Sequence, residues 1–499
     1  MKISFDGEPH MVAIPRLTVR TEFGSVLAVP HRGVLLFRNV PYAAPPFGAR
    51  RFLPPQPPAI WDGLRDGAEP GVGWPQTSFG NPLARYFDPK TQGEDALTLE
   101  VQTPELGMTG LPVMVWMHAG GFVTGAGSAQ ANDGYAFARD GIVHVSINYR
   151  LGIDGYAFLE DSESRHADNL GLRDQIAALE WVQRNIAFFG GDPGNVTIAG
   201  QSTGGVSVSY LLAAPAATGL FVRAISQSGS PSMAMDTDQA RRIAARLGEI
   251  AGVAPISTEL AKLDLDVYRS LTAQMMGEVY GSPGAWKVGN QIPVPFCGVT
   301  GTEMLPEPVV EGIARKHDSR VKILAGTTKD ETSEFLTQSF GDLTLDSPLG
   351  QQMLRSFDAD ADTVNFYRTM APEDASDMVI LAAIATDIWA RRPTRDMVEA
   401  NAGDGFLYEF TWESPMLEPG SGSPQGIDIP FVNDDFENMK EVPRGARMLG
   451  TNPSEELAGS MHRSFVDFVK TGDPGWPAYT PEEPSTMRFG VNTAVLHTA

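Results

Sequence analysis

The chemistry in this chain gathers around one serine. Residues 200–204 read Gly200-Gln201-Ser202-Thr203-Gly204, a Gly-x-Ser-x-Gly pentapeptide. Before it stands a β-branched run, Val196-Thr197-Ile198, which reads as a buried strand. After it comes Gly204-Gly205-Val206-Ser207-Val208, a small-residue stretch able to start a helix. Strand, sharp turn and helix form the setting in which a serine hydroxyl is raised at the tip of a strained turn, beside the amide of the next residue. Glycines flank the serine because bulkier neighbours would collide with the strand and the helix. A hydroxyl used as a nucleophile also needs a base to take its proton, a group to orient that base, and donors for the developing oxyanion.

The donors have a candidate in Gly120-Gly121. They follow the apolar run Val113-Met114-Val115-Trp116-Met117 in His118-Ala119-Gly120-Gly121-Phe122, where glycine lets amides point inward. The amide of Thr203 would be the third donor. The orienting acid has candidates in Asp330 and Glu331 of Gly326-Thr327-Thr328-Lys329-Asp330-Glu331-Thr332, just past the strand-like Val321–Ala325. A carboxylate there sits on the edge of an open sheet where ligands bind. Chain order in such a sheet is serine, acid, histidine. The histidines after residue 331 are His462 and His497. His462 falls in an amphipathic helical pattern, Leu457 to Val469, and reads as a surface or packing residue. His497 is near a terminus expected to fray. Neither is expected to supply the base.

The context around Ser202 is longer than the pentapeptide. Phe189-Gly190-Gly191, four residues, Val196, Ile198 and then the pentapeptide resemble the serine signature of the type-B carboxylesterases, the α/β-hydrolase family that includes the cholinesterases and bacterial para-nitrobenzyl-esterase-like enzymes. Glu94-Asp95-Ala96-Leu97-Thr98-Leu99-Glu100-Val101 resembles the second signature of that family, with Ala96 at its usual cysteine and Glu100 at its usual asparagine. The resemblance runs from Phe37 to Gly472-Asp473-Pro474-Gly475-Trp476-Pro477. It implies Ser202 as nucleophile, Glu331 as acid with Asp330 in reserve, Gly120, Gly121 and Thr203 as oxyanion donors, and Ser228 of Gln227-Ser228-Gly229 as the serine beside the acid.

The resemblance also locates the base, and there the chain departs. The family stretch like G-x-x-H-x-x-(E/D)-x-P-F matches Gly422-Ser423-Pro424-Gln425-Gly426-Ile427-Asp428-Ile429-Pro430-Phe431, with Gln425 in the histidine's place. An amide donates and accepts hydrogen bonds but takes up no proton near neutral pH. Three explanations stand: an engineered inactivation, a natural loss of hydrolysis, or a reaction that needs no serine attack. The expected function is therefore a carboxylic-ester hydrolase scaffold for small, mostly apolar esters, acting through an acyl-serine and impaired at the base. The alternative is a non-hydrolytic enzyme or small-molecule-binding protein on the same fold.

These residues require an α/β architecture to position them. Val113–Met117 and Ile142–Ile147 are continuous apolar or nearly apolar runs, the mark of parallel strands buried on both faces. Leu172, Ile176, Leu179, Val182 and Ile186 make one helical stripe, stopped by Gly190-Gly191 and Pro193. Strand, helix, strand in that order predicts a parallel sheet. Further strands are expected at Val222–Ile225, Val321–Ala325 and Phe406–Phe410. Residues 1 to about 60 read as a β-meander. Cap or lid segments are expected at about 61–93, 235–290 and 340–400, within a single domain over 1–499.

Composition sets outer limits. With 42% hydrophobic and 20% charged residues over 499, the chain can bury a large core. A formal net charge of −23 repels phosphate backbones, which argues against nucleic-acid partners. One cysteine, Cys297, allows no intrachain disulfide and fits a reducing compartment. The opening MKISFDGEPHMVAIPR has no apolar h-region, and no run approaches ~20 apolar residues, so neither a secretory signal nor a membrane span is expected. No metal-ligand cluster or phosphate-binding loop stands out, and no cofactor is expected. A cytoplasmic monomer acting on a small-molecule ester is the expectation.

Overall fold

The computed structural model describes residues 17–497 except 70, 79–82, 161–167, 282–285, 287–293, 317–320, 342, 402–404 and 418–419. Its centre is a sheet whose main-sheet strands are, in chain order, β1 (Val29–His31), β2 (Val34–Pro41), β3 (Thr98–Thr103), β4 (Leu111–Met117), β5 (Val143–Ile147), β6 (Gly191–Gln201), β7 (Arg223–Gln227), β8 (Lys322–Thr328), β9 (Gly405–Phe410), β10 (Ser485–Phe489) and β11 (Ala494–His497). Across the sheet they lie in the order β11-β10-β9-β8-β7-β6-β4-β5-β3-β2-β1. From β5 to β10 neighbours run parallel; β1, β2 and β3 at one edge and β11 at the other are antiparallel.

The middle strands are central because their sequences suit burial on both faces. Val113 to Met117 of β4 and all of β5 are buried, with no polar-out alternation. Helix α1 (Leu170–Asn185) connects β5 to β6 and lays its apolar stripe on the sheet. It also carries the buried Asp174, whose carboxylate takes Nε and Nη2 of the equally buried Arg150 at 2.7 Å each. Arg150 follows β5, so this pair pins the helix start to the strand end. Neither partner is left with an unmatched charge in a low-dielectric interior, where a lone charge would cost several kcal/mol (about 3–5). Helix α2 (Thr203–Ala213) connects β6 to β7 and is buried along its length.

Several expectations are refined. The proposed meander divides: Thr18–Arg20 and Ser25–Leu27 join Leu64–Arg65 in a separate three-stranded sheet, while β1 and β2 extend the main sheet. Residues 1–16 lie outside the described part. Among its described residues, the 61–93 stretch holds only two-residue strands and one helical turn, Ala84–Phe87. The 235–290 region contains helices Thr237–Ala251 and Leu265–Gly281, and the 340–400 region contains four helices and a π-helical turn at Asp387–Arg391, with its own apolar cluster around Leu381 and Ile384. The frayed C-terminus is a correction: His497 ends β11, an edge strand paired with β10, and its Nδ1 lies 3.2 Å from Ser485 Oγ. The short STMRF and AVLH segments carry little apolar signal; β11 folds back on β10 as a local antiparallel hairpin, while β10 takes its place in the sheet by pairing with the sequence-distant β9. His462 is a packing residue: it is 2% exposed, with Nδ1 2.7 Å from the Val432 carbonyl and Nε2 2.9 Å from Asp140.

Candidate active site

Four adjacent strand ends build the site. β4, β6, β7 and β8 are neighbours, and register sets Gly200 opposite Met117, Gln201 opposite Gln227, and Gln227 opposite Gly326. Their carboxyl ends therefore release the 118–122 loop, Ser202, Ser228 and the 329–332 loop side by side, at the edge where open α/β sheets bind ligands.

Ser202 has φ 53° and ψ −124°, a region that costs of order 1–3 kcal/mol and persists only where surroundings enforce it. Steric enforcement is visible at the flanking glycines. A Cβ on Gly200 would stand 2.4 Å from the Gly204 carbonyl carbon, and one on Gly204 would stand 2.1 Å from the Met117 oxygen. No larger residue fits between β6, α2 and β4. The Ser202 amide donates to the Gln227 carbonyl at 2.8 Å. A serine at a helix N-cap commonly spends its hydroxyl on a helix amide. Ser202 makes no such bond, and its Oγ has no hydrogen-bond partner among the described residues.

The glycine loop is fixed from behind. His118, buried and held neutral because burial lowers its pKa to about 4, lies with Nδ1 2.7 Å from the Ala119 carbonyl. Its ring stacks on Tyr149, whose hydroxyl donates to the His118 carbonyl at 2.7 Å. The Gly120 carbonyl accepts from the Val123 and Thr124 amides and from Thr124 Oγ1. Gly120 sits at φ +134°, and a Cβ there would stand 2.0 Å from the Thr124 oxygen. In a trans peptide, N–H points opposite C=O, so anchoring the Ala119 and Gly120 carbonyls turns the Gly120 and Gly121 amides to the other side. The Gly121 amide meets Thr203 Oγ1 at 3.1 Å, which brings the glycine loop against the serine turn.

Of the two acid candidates, Glu331 is the one drawn into this network. It is 4% exposed; its Oε1 accepts from Ser228 Oγ at 2.5 Å and from the Thr328 amide at 2.7 Å. Burial pushes its carboxyl up to about 7, the Ser228 bond pulls it down, and the Asp428 charge adds to the rise. Oε2 is buried without a hydrogen-bond partner. Asp330 instead fastens the next segment: its Oδ2 accepts from the Ser423 amide at 2.9 Å and its amide donates to the Ser423 carbonyl at 3.1 Å.

Gln425 lies in the turn that starts there, where the Ile427 amide donates to the Pro424 carbonyl. Its side chain is exposed and makes no hydrogen bond among the described residues. The turn's far end is anchored by Asp428, which is fully buried; burial raises its carboxyl to about 6. Asp428 Oδ2 accepts from Gln227 Nε2 at 3.4 Å and from Tyr408 Oη at 3.5 Å. Thus the glycine loop bonds the serine turn, Gln227 and Ser228 link that turn to the acid loop, and Gln425 makes no hydrogen bond to any of them. Among the described histidines none bonds Ser202 or Glu331.

Sequence reasoning placed Gln227 and Asp428 within their motifs but assigned neither a role. Gln227 takes the Ser202 amide with its carbonyl and reaches Asp428 with its side chain. The only cue was its place beside Ser228 at the end of a strand. Glu100, the second-signature departure, is buried 3.8 Å from Arg38 Nε, and burial raises its carboxyl to about 7.

A strained serine between a parallel strand and a helix, facing a glycine loop on the next strand, defines a serine hydrolase of the carboxylesterase type on the α/β-hydrolase fold. The chain belongs to the Carboxylesterase family, which matches it over residues 16–498. It is 33% identical over 484 residues to the para-nitrobenzyl esterase of Bacillus subtilis (strain 168), covering 94% of each chain. It is 31% identical to the phenmedipham hydrolase of Pseudarthrobacter oxydans, covering 96% of each. The crystal structure of the Geobacillus stearothermophilus carboxylesterase superposes with a TM-score of 0.83 at 32% identity, over 96% of this chain and 98% of that one. No helix among the described residues is long and apolar enough to cross a membrane.

Proposed function

We propose that this chain is a carboxylic-ester hydrolase scaffold for small, mostly apolar esters, in which Ser202 is the acyl-accepting nucleophile. Glu331 is the acid, steadied by Ser228. The amide side of Gly120, Gly121 and Thr203 is the oxyanion hole, and Gln425 stands where the base belongs. The observation that carries the reading is the strained Ser202, its hydroxyl uncommitted, tied through Gln227 and Ser228 to a buried acid. Gln425 cannot take the serine proton, so Ser202 stays a neutral alcohol and turnover is slow. In subtilisin, loss of the histidine alone costs about 10⁶ in kcat, while binding and the oxyanion hole keep roughly 10³ over water. The free Oε2 of Glu331 supports the same reading, because it is an acceptor left without the donor an imidazole would give.

The test is hydrolysis of p-nitrophenyl acetate, and of a p-nitrobenzyl ester suggested by the Bacillus relative, by this chain and by Gln425→His. A gain of several orders of magnitude in the variant, abolished by Ser202→Ala, supports the esterase scaffold. No turnover by either protein favours the second reading, a non-hydrolytic or small-molecule-binding protein on this fold. That reading draws on the same uncommitted Ser202 hydroxyl and on the neutral Gln425. We further propose a single domain over 1–499 and residence in a reducing compartment, the latter supported by the lone and buried Cys297.

A further inference from the structure

Within the proposed oxyanion hole, the Gly121 amide already donates to a side chain. Its partner, Thr203 Oγ1, lies 3.1 Å away and belongs to a residue 2% exposed. The amide cannot easily turn elsewhere, because the same peptide's carbonyl, that of Gly120, is held by three donors from Val123 and Thr124. The Thr203 hydroxyl accepts this bond and keeps its own proton, which has no acceptor among the described residues. That hydroxyl is also attached one carbon from the Cα that follows the Thr203 amide. An anion resting on the Thr203 amide is therefore within reach of both groups of one residue.

We propose that the Thr203 hydroxyl is itself an oxyanion-stabilising catalytic group, receiving the Gly121 N–H and passing a hydrogen bond on to the oxyanion. The hole then consists of the Gly120 and Thr203 amides plus a hydroxyl polarised by the Gly121 amide. Chains of this kind strengthen one another in a low-dielectric site. The proton stays on Oγ1 throughout; no covalent bond of Thr203 changes. The inference rests on the reading of 120, 121 and 203 as the oxyanion hole.

The experiment uses the Gln425→His protein, whose turnover of p-nitrophenyl acetate must first prove dependent on Ser202. T203V and T203A are made in it, with T203S as the conservative control and thermal melting to check folding. Removing one oxyanion donor costs roughly 10²–10³ in kcat in subtilisin. A relayed donor is expected to cost about 10- to 100-fold in kcat with KM within about twofold, and T203S is expected to recover most of that loss. T203V and T203A turning over as fast as the parent, or faster, overturns the relay; the faster outcome shows an obstructing hydroxyl. Loss in KM alone, or no recovery with serine, also overturns it. If the parent shows no Ser202-dependent turnover, the esterase reading and this inference fall together, a result distinct from the others.

Discussion

Two halves of the site are built to different standards. On one side Ser202, Gln227, Ser228 and Glu331 form a continuous chain of contacts ending at a buried carboxylate, with bonds of 2.8 Å from the Ser202 amide and 2.5 Å to Glu331. On the other side the 423–428 turn is anchored at both ends, by Asp330 and by Gln227, yet the residue between them faces solvent and bonds nothing described. Positioning and proton chemistry are thus separable. On the proposed function, the fold keeps the strain, the acid and the amide cradle by packing, while the proton acceptor would reside in one side chain.

The sharpest way to break this comparison is Gln425→His. If the two halves differ only by that side chain, turnover of p-nitrophenyl acetate rises by about 10³-fold or more, toward the ~10⁶ that a triad histidine carries in subtilisin. A rise under tenfold, measured by stopped-time absorbance, would show the turn to be misplaced as well as chemically silent. Next in size is Glu331→Gln in that restored protein. Removing the orienting carboxylate is expected to lower kcat by about 10⁴-fold, as for the subtilisin acid. In the unmodified chain the proposed function expects the same change to leave the rate within a few-fold, since no described histidine bonds Glu331.

A smaller effect is expected from Ser228→Ala. It deletes one of two donors on Glu331 Oε1, destabilising the protein by about 1–3 kcal/mol in urea unfolding and raising the acid's pKa further. An unchanged midpoint would mean the bond contributes nothing. The smallest effect is in pH dependence. Glu331 rises from an ordinary 4.5 to about 7, and Asp428 from 3.8 to about 6. A carboxyl raised by folding binds its proton more tightly in the native state. Its contribution is complete below the unfolded value and is lost as pH climbs through the folded one. Stability should therefore fall between about pH 3.8 and 7, and Glu331→Gln should flatten the upper part of that slope. A variant with the parent's slope would remove Glu331 from the account.

What the sequence revealed follows the range of the forces involved. Val113–Met117, Val196–Ile198 and the stripe from Leu172 to Ile186 announce themselves because burial on both faces, or on one helical face, writes an apolar pattern into neighbouring residues. Ser202, Gly120-Gly121 and the 326–332 loop were legible because tight turns and close backbone approaches tolerate few residue types. β10 was not, since its place is decided by the distant β9, and β11 was not, since its hairpin with β10 carries no apolar alternation. The roles of Gln227, Asp428 and the Thr203 hydroxyl were likewise hidden. Each depends on which atoms meet across strands, and no local pattern encodes that. The absence of histidine at 425 was legible; that its replacement would face solvent was not.

The turn holding residue 425 is clamped within three residues on either side, by Ser423 on Asp330 and by Asp428 on Gln227 and Tyr408. Whatever side chain is installed there inherits a fixed attachment point without disturbing its supports. The position therefore works as a socket, in which proton acceptors of different basicity, including unnatural imidazoles, can be exchanged against one constant background.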